Sequence, residues 1–306
     1  MSAPLKNIAL IGANGTLGAV LLEALVKAGT FTITAIIREG SLSTIPYPSS
    51  QVRTIYVDKS MSVASLTAAF TGQDAVIASF KFANPQSHVR VVEAAAAAGV
   101  RLHIPADFGS IDADNERARE LVPLYREKLA IRTRAQELAA QNPGFKWTAL
   151  VTGHFFEWGV KEHLFHTDLV KHTADVFDGG HTKASATTLT RIGEAVVRIL
   201  RKYPDEAVLN RTLFIQSFCI SQIELVEALE RATGTKWTVN DLDSEKFIAE
   251  KKPLGEAGDS MAIEDLVFVL GALDADWTKR GNLAMDLLGF EDEDLDATLQ
   301  RVLAEP

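Results

Sequence analysis

The chain has 306 residues, 47% of them hydrophobic and 23% charged, enough to bury the core of one or two globular domains. Lys plus Arg total 31 against 40 for Asp plus Glu, a net charge of -9, which argues against a phosphate-tracking surface and so against nucleic acid as a partner. The single cysteine, Cys219, excludes an intramolecular disulfide framework and a zinc ribbon, and it suits a reducing compartment.

The first apolar run, NIALIGANG, breaks at Gly12. It is too short for a signal-peptide core or a membrane span, so it reads as a strand, and a cytoplasmic protein without a membrane partner is expected. Further strands are expected at Thr32 to Ile37, Val52 to Val57, Ala75 to Ser79, Val100 to Ile104 and Trp147 to Val151. Amphipathic segments such as GAVLLEALVKAG and QSHVRVVEAAAAAG lie between them, each ending near a glycine as helices often do. Strand and helix in alternation predict an α/β Rossmann fold, a doubly wound parallel sheet with helices on both faces.

Past Val151 the alternation stops. VFDGGHTKAS reads as a hairpin turn, Leu189 to Lys202 as a helix ended by Pro204, and RTLFIQS as a strand. SQIELVEALERATG reads as a helix capped by Ser221 and stopped at Gly234. The expected division is an NAD(P)-binding Rossmann domain at 1–152 and a smaller, mostly helical, substrate-covering domain at 153–306. Residues from about 185 to 218 are a candidate return to the first sheet.

Within IALIGANGTLG, Gly12, Gly15 and Gly18 fall between a strand and a helix. Such a turn needs glycine where the chain leaves the strand, where a pyrophosphate nears the backbone, and where helix packs on strand. Gly12, Asn14, Gly15, Thr16, Leu17 and Gly18 are therefore the expected dinucleotide loop, with the helix amides on the anion. About 20 residues past Gly18, where an NAD site offers an acidic side chain, stands Arg38. A guanidinium forks to a 2'-phosphate, so NADPH/NADP+ is the expected cofactor, with Glu39 as the competing feature. Asp58, Ser79 and Phe80, at later strand ends, are expected to line the same site; for Asp58 the competing reading is strand-end capping.

The fifth strand runs into Pro-Ala-Asp-Phe-Gly, and a helix is expected from Pro123 to about Gln141. In that helix Tyr125 and Lys128 stand one residue short of the Tyr-x-x-x-Lys pair of short-chain dehydrogenases. Lys128 shares a face with Ile131 and Ala135, so its ammonium is expected to be partly desolvated, which lowers its pKa and fits it for proton transfer. The geometry by itself leaves open a lysine acting alone, a Tyr125 and Lys128 pair, and surface charge.

Gly12 to Gly18 as GANGTLG, Arg38, PADFG at 105–109, Lys128 with Ile131 and Arg132, and TGHFFEWG at 152–159 together resemble the NmrA-like and isoflavone reductase-like family, which belongs to the atypical short-chain dehydrogenases. The likeness spans nearly the whole chain. It implies NADPH hydride transfer to an aromatic or conjugated substrate, with Lys128 as general acid or base in place of the tyrosine pair. It also implies that Phe155 packs near the nicotinamide. The plant enzymes of the family carry Pro-Ser-Glu-Phe-Gly where this chain has Pro-Ala-Asp-Phe-Gly, and Asn-Cys-Phe where it has Gly153, His154 and Phe155, so lignan and isoflavone substrates are not assigned.

His154, His163, His166 and His172 cluster in sequence without completing a zinc pattern, and no metal is expected. His154 and Phe156 are instead candidate substrate contacts, with core packing as the competing reading for Phe156. The acidic run EDEDLD reads as a solvated helix start. The expected activity is an NADPH-dependent oxidoreductase acting on a small molecule. The alternative is an NADP-sensing regulator without turnover, for which alone a protein partner is expected.

Overall fold

The computed structural model describes residues 3–304. Its elements begin with β1 (Asn7–Ile11), α1 (Thr16–Ala28), β2 (Thr32–Arg38), β3 (Val52–Val57), α2 (Val63–Phe70), β4 (Ala75–Ala78), α3 (Pro85–Ala97) and β5 (Leu102–Ile104). There follow α4 (Glu116–Leu121), α5 (Pro123–Gln141), β6 (Lys146–Val151), β7 (His154–Phe155), α6 (Phe156–Lys161), β8 (Thr167–Asp168), β9 (Thr173–Phe177), β10 (Lys183–Thr187) and α7 (Leu189–Lys202). The rest is β11 (Arg211–Phe214), β12 (Phe218–Ser221), α8 (Gln222–Thr233), β13 (Thr238–Leu242), α9 (Ser244–Glu256), α10 (Ser260–Asp274), α11 (Met285–Leu288) and α12 (Leu295–Ala304).

The apolar runs of the first half assemble into a seven-stranded Rossmann-type sheet in the order β11-β6-β5-β4-β1-β2-β3. Its ladders are parallel, as expected of strands that return through helices. β4 is buried along its whole length and β1 nearly so, the mark of strands covered on both faces, whereas edge strand β3 leaves Tyr56 61% exposed. Strand order reverses between β1 and β4, so the crevice of this fold opens at their carboxyl ends. Helices α1 and α7 meet through Gly193, where a Cβ would stand 2.9 Å from that of Ala24.

Two compact units divide the chain. The first holds the residues up to Asp107, Glu127–Leu150 and Ile192–Leu213; the second holds Phe108–Arg126, Val151–Arg191 and the chain from Phe214 onward. A single break at residue 152 therefore differs from the observed division at Phe108–Arg126. Ion pairs join this stretch to the rest of the second unit: Arg117 with Glu245, Lys252 with Glu120, and Arg280 with Asp112.

Besides its helices the second unit contains two three-stranded sheets, β12-β10-β7 and β13-β9-β8. The VFDGGHTKAS stretch is a correction to the expected hairpin: β9 pairs with β8 and β13, while β10 pairs with β7 and β12. Asp178, Gly179 and Gly180 take φ of 51°, 81° and 69°, a left-handed run that carries the chain from one sheet to the other. α8 has the expected ends, a capping box of Ser221 and Glu224 and a left-handed cap at Gly234. Among the described residues no helix is long and apolar enough to cross a membrane.

Candidate functional site

The loop between β1 and α1 separates its three glycines by what each must do. Gly12 has φ 87°, and a Cβ there would stand 2.3 Å from the Ser79 carbonyl oxygen. At Gly18 a Cβ would stand 1.8 Å from the Gly12 carbonyl oxygen. Both glycines are demanded by the protein's own packing. Gly15 is different: its φ is -74°, and the nearest atom to a Cβ would be 3.4 Å away. A methyl at Gly15 would make ordinary contact with the Gly12 and Ser79 carbonyl oxygens, so the protein's own packing does not demand glycine there. Asn14, Gly15 and Thr16 are exposed, Leu17 is partly buried, and the Asn14 amide donates to the Thr44 carbonyl. The first turn of α1 has no side-chain cap and no acidic residue, so its amides stay available to an anion.

Arg38 ends β2 on the surface, and among the described residues its guanidinium has no ion pair. Asp58 is already engaged: Ser60 and Ser62 donate their hydroxyls to its carboxylate, which stays well below the usual range for that reason. Its capping role is thus visible. Ser79, at the end of β4, packs its carbonyl over Gly12, and its hydroxyl is buried with no hydrogen-bond partner. Phe80 lies flat on His88 at 3.8 Å between ring centroids, and Phe82 lies on the other face at 4.0 Å. Burial holds the sandwiched imidazole neutral, at a pKa of about 4.

Lys128 lies in the second turn of α5, with Ile131 and Ala135 buried along the same face as expected. Its ammonium donates to the main-chain carbonyl of Asp107 and stands 5.8 Å from the centroid of the Phe82 ring. Burial pulls the amine below its ordinary pKa; the Asp107 charge pulls it back up, and Arg132 pushes it down again. Arg132, one turn on, donates Nη2 at 2.6 Å and Nε at 3.1 Å to Asp107 Oδ2, in an ion pair with both side chains buried. Tyr125, fully buried, shares a hydrogen bond of 2.8 Å with the Ser110 hydroxyl. The local sequence gives Asp107 and Arg132 no role. The signal that points to them is two cations one turn apart on an apolar helix face, which call for a buried acid.

In the second unit Phe155 is partly buried on β7, its ring 6.3 Å from that of Trp158. Gly153, at φ 68°, leaves no room for a Cβ against the Ser185 carbonyl, which would lie 1.9 Å away. His154 turns its ring into the unit: edge-on to Phe165 at 5.6 Å, with Nε2 where a Cβ on Gly271 would go. Burial pushes it down to about 4, and Nε2 has no hydrogen-bond partner. It borders a cavity of about 50 Å³, room for a few waters. Phe156 is wholly buried against Phe218 at 4.7 Å and lines the same cavity as His154. The remaining histidines separate: His163 bonds the Thr167 carbonyl, His166 bonds Asp265, and His172 meets Trp237 edge-on.

The model of the NmrA-like family matches residues 4–277 of this chain. The oxidoreductase poxI of Penicillium oxalicum is 36% identical over 251 residues, covering 80% of this chain and 76% of its own. The oxidoreductase aprR of Aspergillus flavus is 34% identical over 241 residues, covering 78% of each. Among solved structures, the binary complex of leucoanthocyanidin reductase with NADPH from Vitis vinifera has a TM-score of 0.78 at 15% identity, over 98% of this chain and all of that one, a likeness of fold.

Proposed function

We propose that the chain, which belongs to the NmrA-like family, is an NADPH-dependent reductase with Lys128 as its proton-transfer residue. The substrate class is a small aromatic or conjugated molecule, an enone, a quinone or a benzylic ether. The observation that carries this reading is Lys128: an amine drawn below its ordinary pKa by burial, beyond the carboxyl end of β5, where ligands of this fold collect. The oxidoreductase relatives support it, and so does the NADPH held by the similar fold.

The residues of the first unit fit the cofactor. Gly15 leaves the backbone open to a pyrophosphate, the uncapped first turn of α1 supplies amides, and Arg38 offers an unengaged fork for a 2'-phosphate. Ser79 Oγ is a buried donor awaiting an acceptor. Held by these residues, NADPH would supply the hydride. Lys128 as ammonium would give its proton to the substrate atom that gains negative charge on reduction, and solvent would restore the proton. A lowered pKa makes that donation easier near neutrality. The Asp107 carbonyl fixes the direction of the amine meanwhile.

Calorimetric titration with NADPH, NADP+, NADH and NAD+, followed by turnover assays on quinones and enones, tests the reading. The phosphorylated forms should bind at least about tenfold more tightly, roughly 1.4 kcal/mol, and at least one substrate of the class should be reduced. Binding confined to the oxidised forms, with no substrate turned over, would make a dinucleotide-sensing regulator with a protein partner the better account.

A further inference from the structure

Two cations, one of them the proposed proton donor, meet at a single residue, Asp107. Asp107 meets both: its main-chain carbonyl accepts from Lys128, while its Oδ2 accepts two bonds from Arg132. Its Oδ1 is buried and accepts nothing. The Asp107 N–H donates to the Pro105 carbonyl at 2.8 Å, a tight turn that leaves the Asp107 carbonyl for the lysine. A lysine near a carboxylate ordinarily pairs with it, and such a pair favours the charged amine and holds its proton. A guanidinium, always charged and weakly hydrated, is the stronger competitor for a buried carboxylate.

We propose that Arg132 is a positioning residue that withholds the Asp107 carboxylate from Lys128, so that the amine rests on a neutral carbonyl and keeps an exchangeable proton. The inference rests on the reading of Lys128 as the proton-transfer residue. The burial of both ion-pair side chains gives it force, because neither charge escapes to water and the carboxylate must go to one cation or the other. Among the groups that bear on the amine are Asp107 from the loop after β5, Arg132 from its own helix, and His88 from α3, whose ring is neutral at pH 7. Phe82 offers its ring face alone. Arg132 thus neutralises the acid that the fold needs in this corner without letting that acid capture the lysine.

The test is the titration midpoint of Lys128 in the full-length protein without cofactor, read by competitive acetylation across pH with mass-spectrometric detection at that residue. Arg132→Gln should raise the midpoint by at least one pH unit, because the carboxylate passes to the lysine. Arg132→Lys keeps the charge but loses the fork, and it should raise the midpoint as well, by less. Asp107→Asn/Arg132→Gln removes the carboxylate and should bring the midpoint back to the wild-type value or below. Asp107→Asn alone is avoided, because it buries an uncompensated guanidinium. The proposal fails if Arg132→Lys titrates with wild type, which would leave only the charge of residue 132, or if the Arg132→Gln shift persists in the double variant. A purely structural clip would lower the melting temperature of all three variants and move no midpoint. Loss of the Lys128 role would be seen separately, as undiminished turnover in Lys128→Ala.

Discussion

The glycine loop and the lysine corner sit in the same unit, at the ends of β1 and β5, and they are built on opposite economies. The loop works by what is left out: Gly12 and Gly18 yield to neighbouring carbonyls, and Gly15 lacks a side chain that the protein's own packing would tolerate. The corner works by what is put in: a carboxylate, a guanidinium, an ammonium and a stacked imidazole enclosed where charge is costly. The difference teaches where each is sensitive. Function in the loop depends on shape and should be insensitive to pH, whereas in the corner it depends on which group holds a proton.

The sharpest contrast is expected from Lys128→Ala, which should lower turnover about 10²- to 10⁴-fold while NADPH affinity in a calorimetric titration stays near wild type. Equal loss of both would place the lysine with the loop, as a binding residue. Within the loop, Gly12→Ala should lower the unfolding free energy by more than about 1 kcal/mol, since neither its φ nor the Ser79 carbonyl allows a methyl. Gly15→Ala should leave the melting temperature unchanged and weaken NADPH about tenfold or more. If Gly15→Ala binds normally, no ligand explains the glycine at this position.

Acid should find the corner rather than the loop. His88 and His103 are buried at about 4, below the ordinary 6.5. An unfolded chain therefore takes up their protons first, so the stability they contribute is complete above pH 6.5 and is lost as pH falls toward 4. The stability read from urea unfolding should fall over that window with a slope approaching three protons, since His154 is held at about 4 as well, a loss of several kcal/mol in all. A flat profile would mean that these rings are not neutral in the folded state. Arg38→Ala is a smaller change: about tenfold weaker NADPH, roughly 1.4 kcal/mol, with NADH unaffected. Smallest is Ser62→Ala, which removes the cap of α2 for about 1 kcal/mol of stability and should leave dinucleotide binding alone.

Legibility followed the same line. Strands, caps and the glycine spacing are local events, so β3, α5 and α7 end where the sequence places them: Pro123 opens α5, and Pro204 lies just beyond the last turn of α7. Ile131 and Ala135 forecast the desolvation of Lys128 from helical spacing alone. Partners far apart in the chain were not readable. The pairing of Arg132 with Asp107 depends on a loop and a helix meeting, and the fate of VFDGGHTKAS depends on which sheet each flanking strand joins. The acidic run near the end shows the same limit. Asp294 caps α12 as a solvated helix start should, but Glu293 turns inward to Thr188, Ser217 and Arg191, which no local pattern announces.

The path of the chain carries a consequence for how such a protein can be cut or inherited. The first unit is made of three separate stretches, and its sheet is finished only when β11 arrives beside β6, some sixty residues after β6 ends. A gene fragment stopping at residue 152 would encode the glycine loop and the lysine yet leave one margin of the sheet as bare peptide groups, an invitation to self-association. Neither unit can be shuffled as a cassette. A transfer that keeps the dinucleotide loop on its complete sheet must run from β1 through β11, about two thirds of the chain.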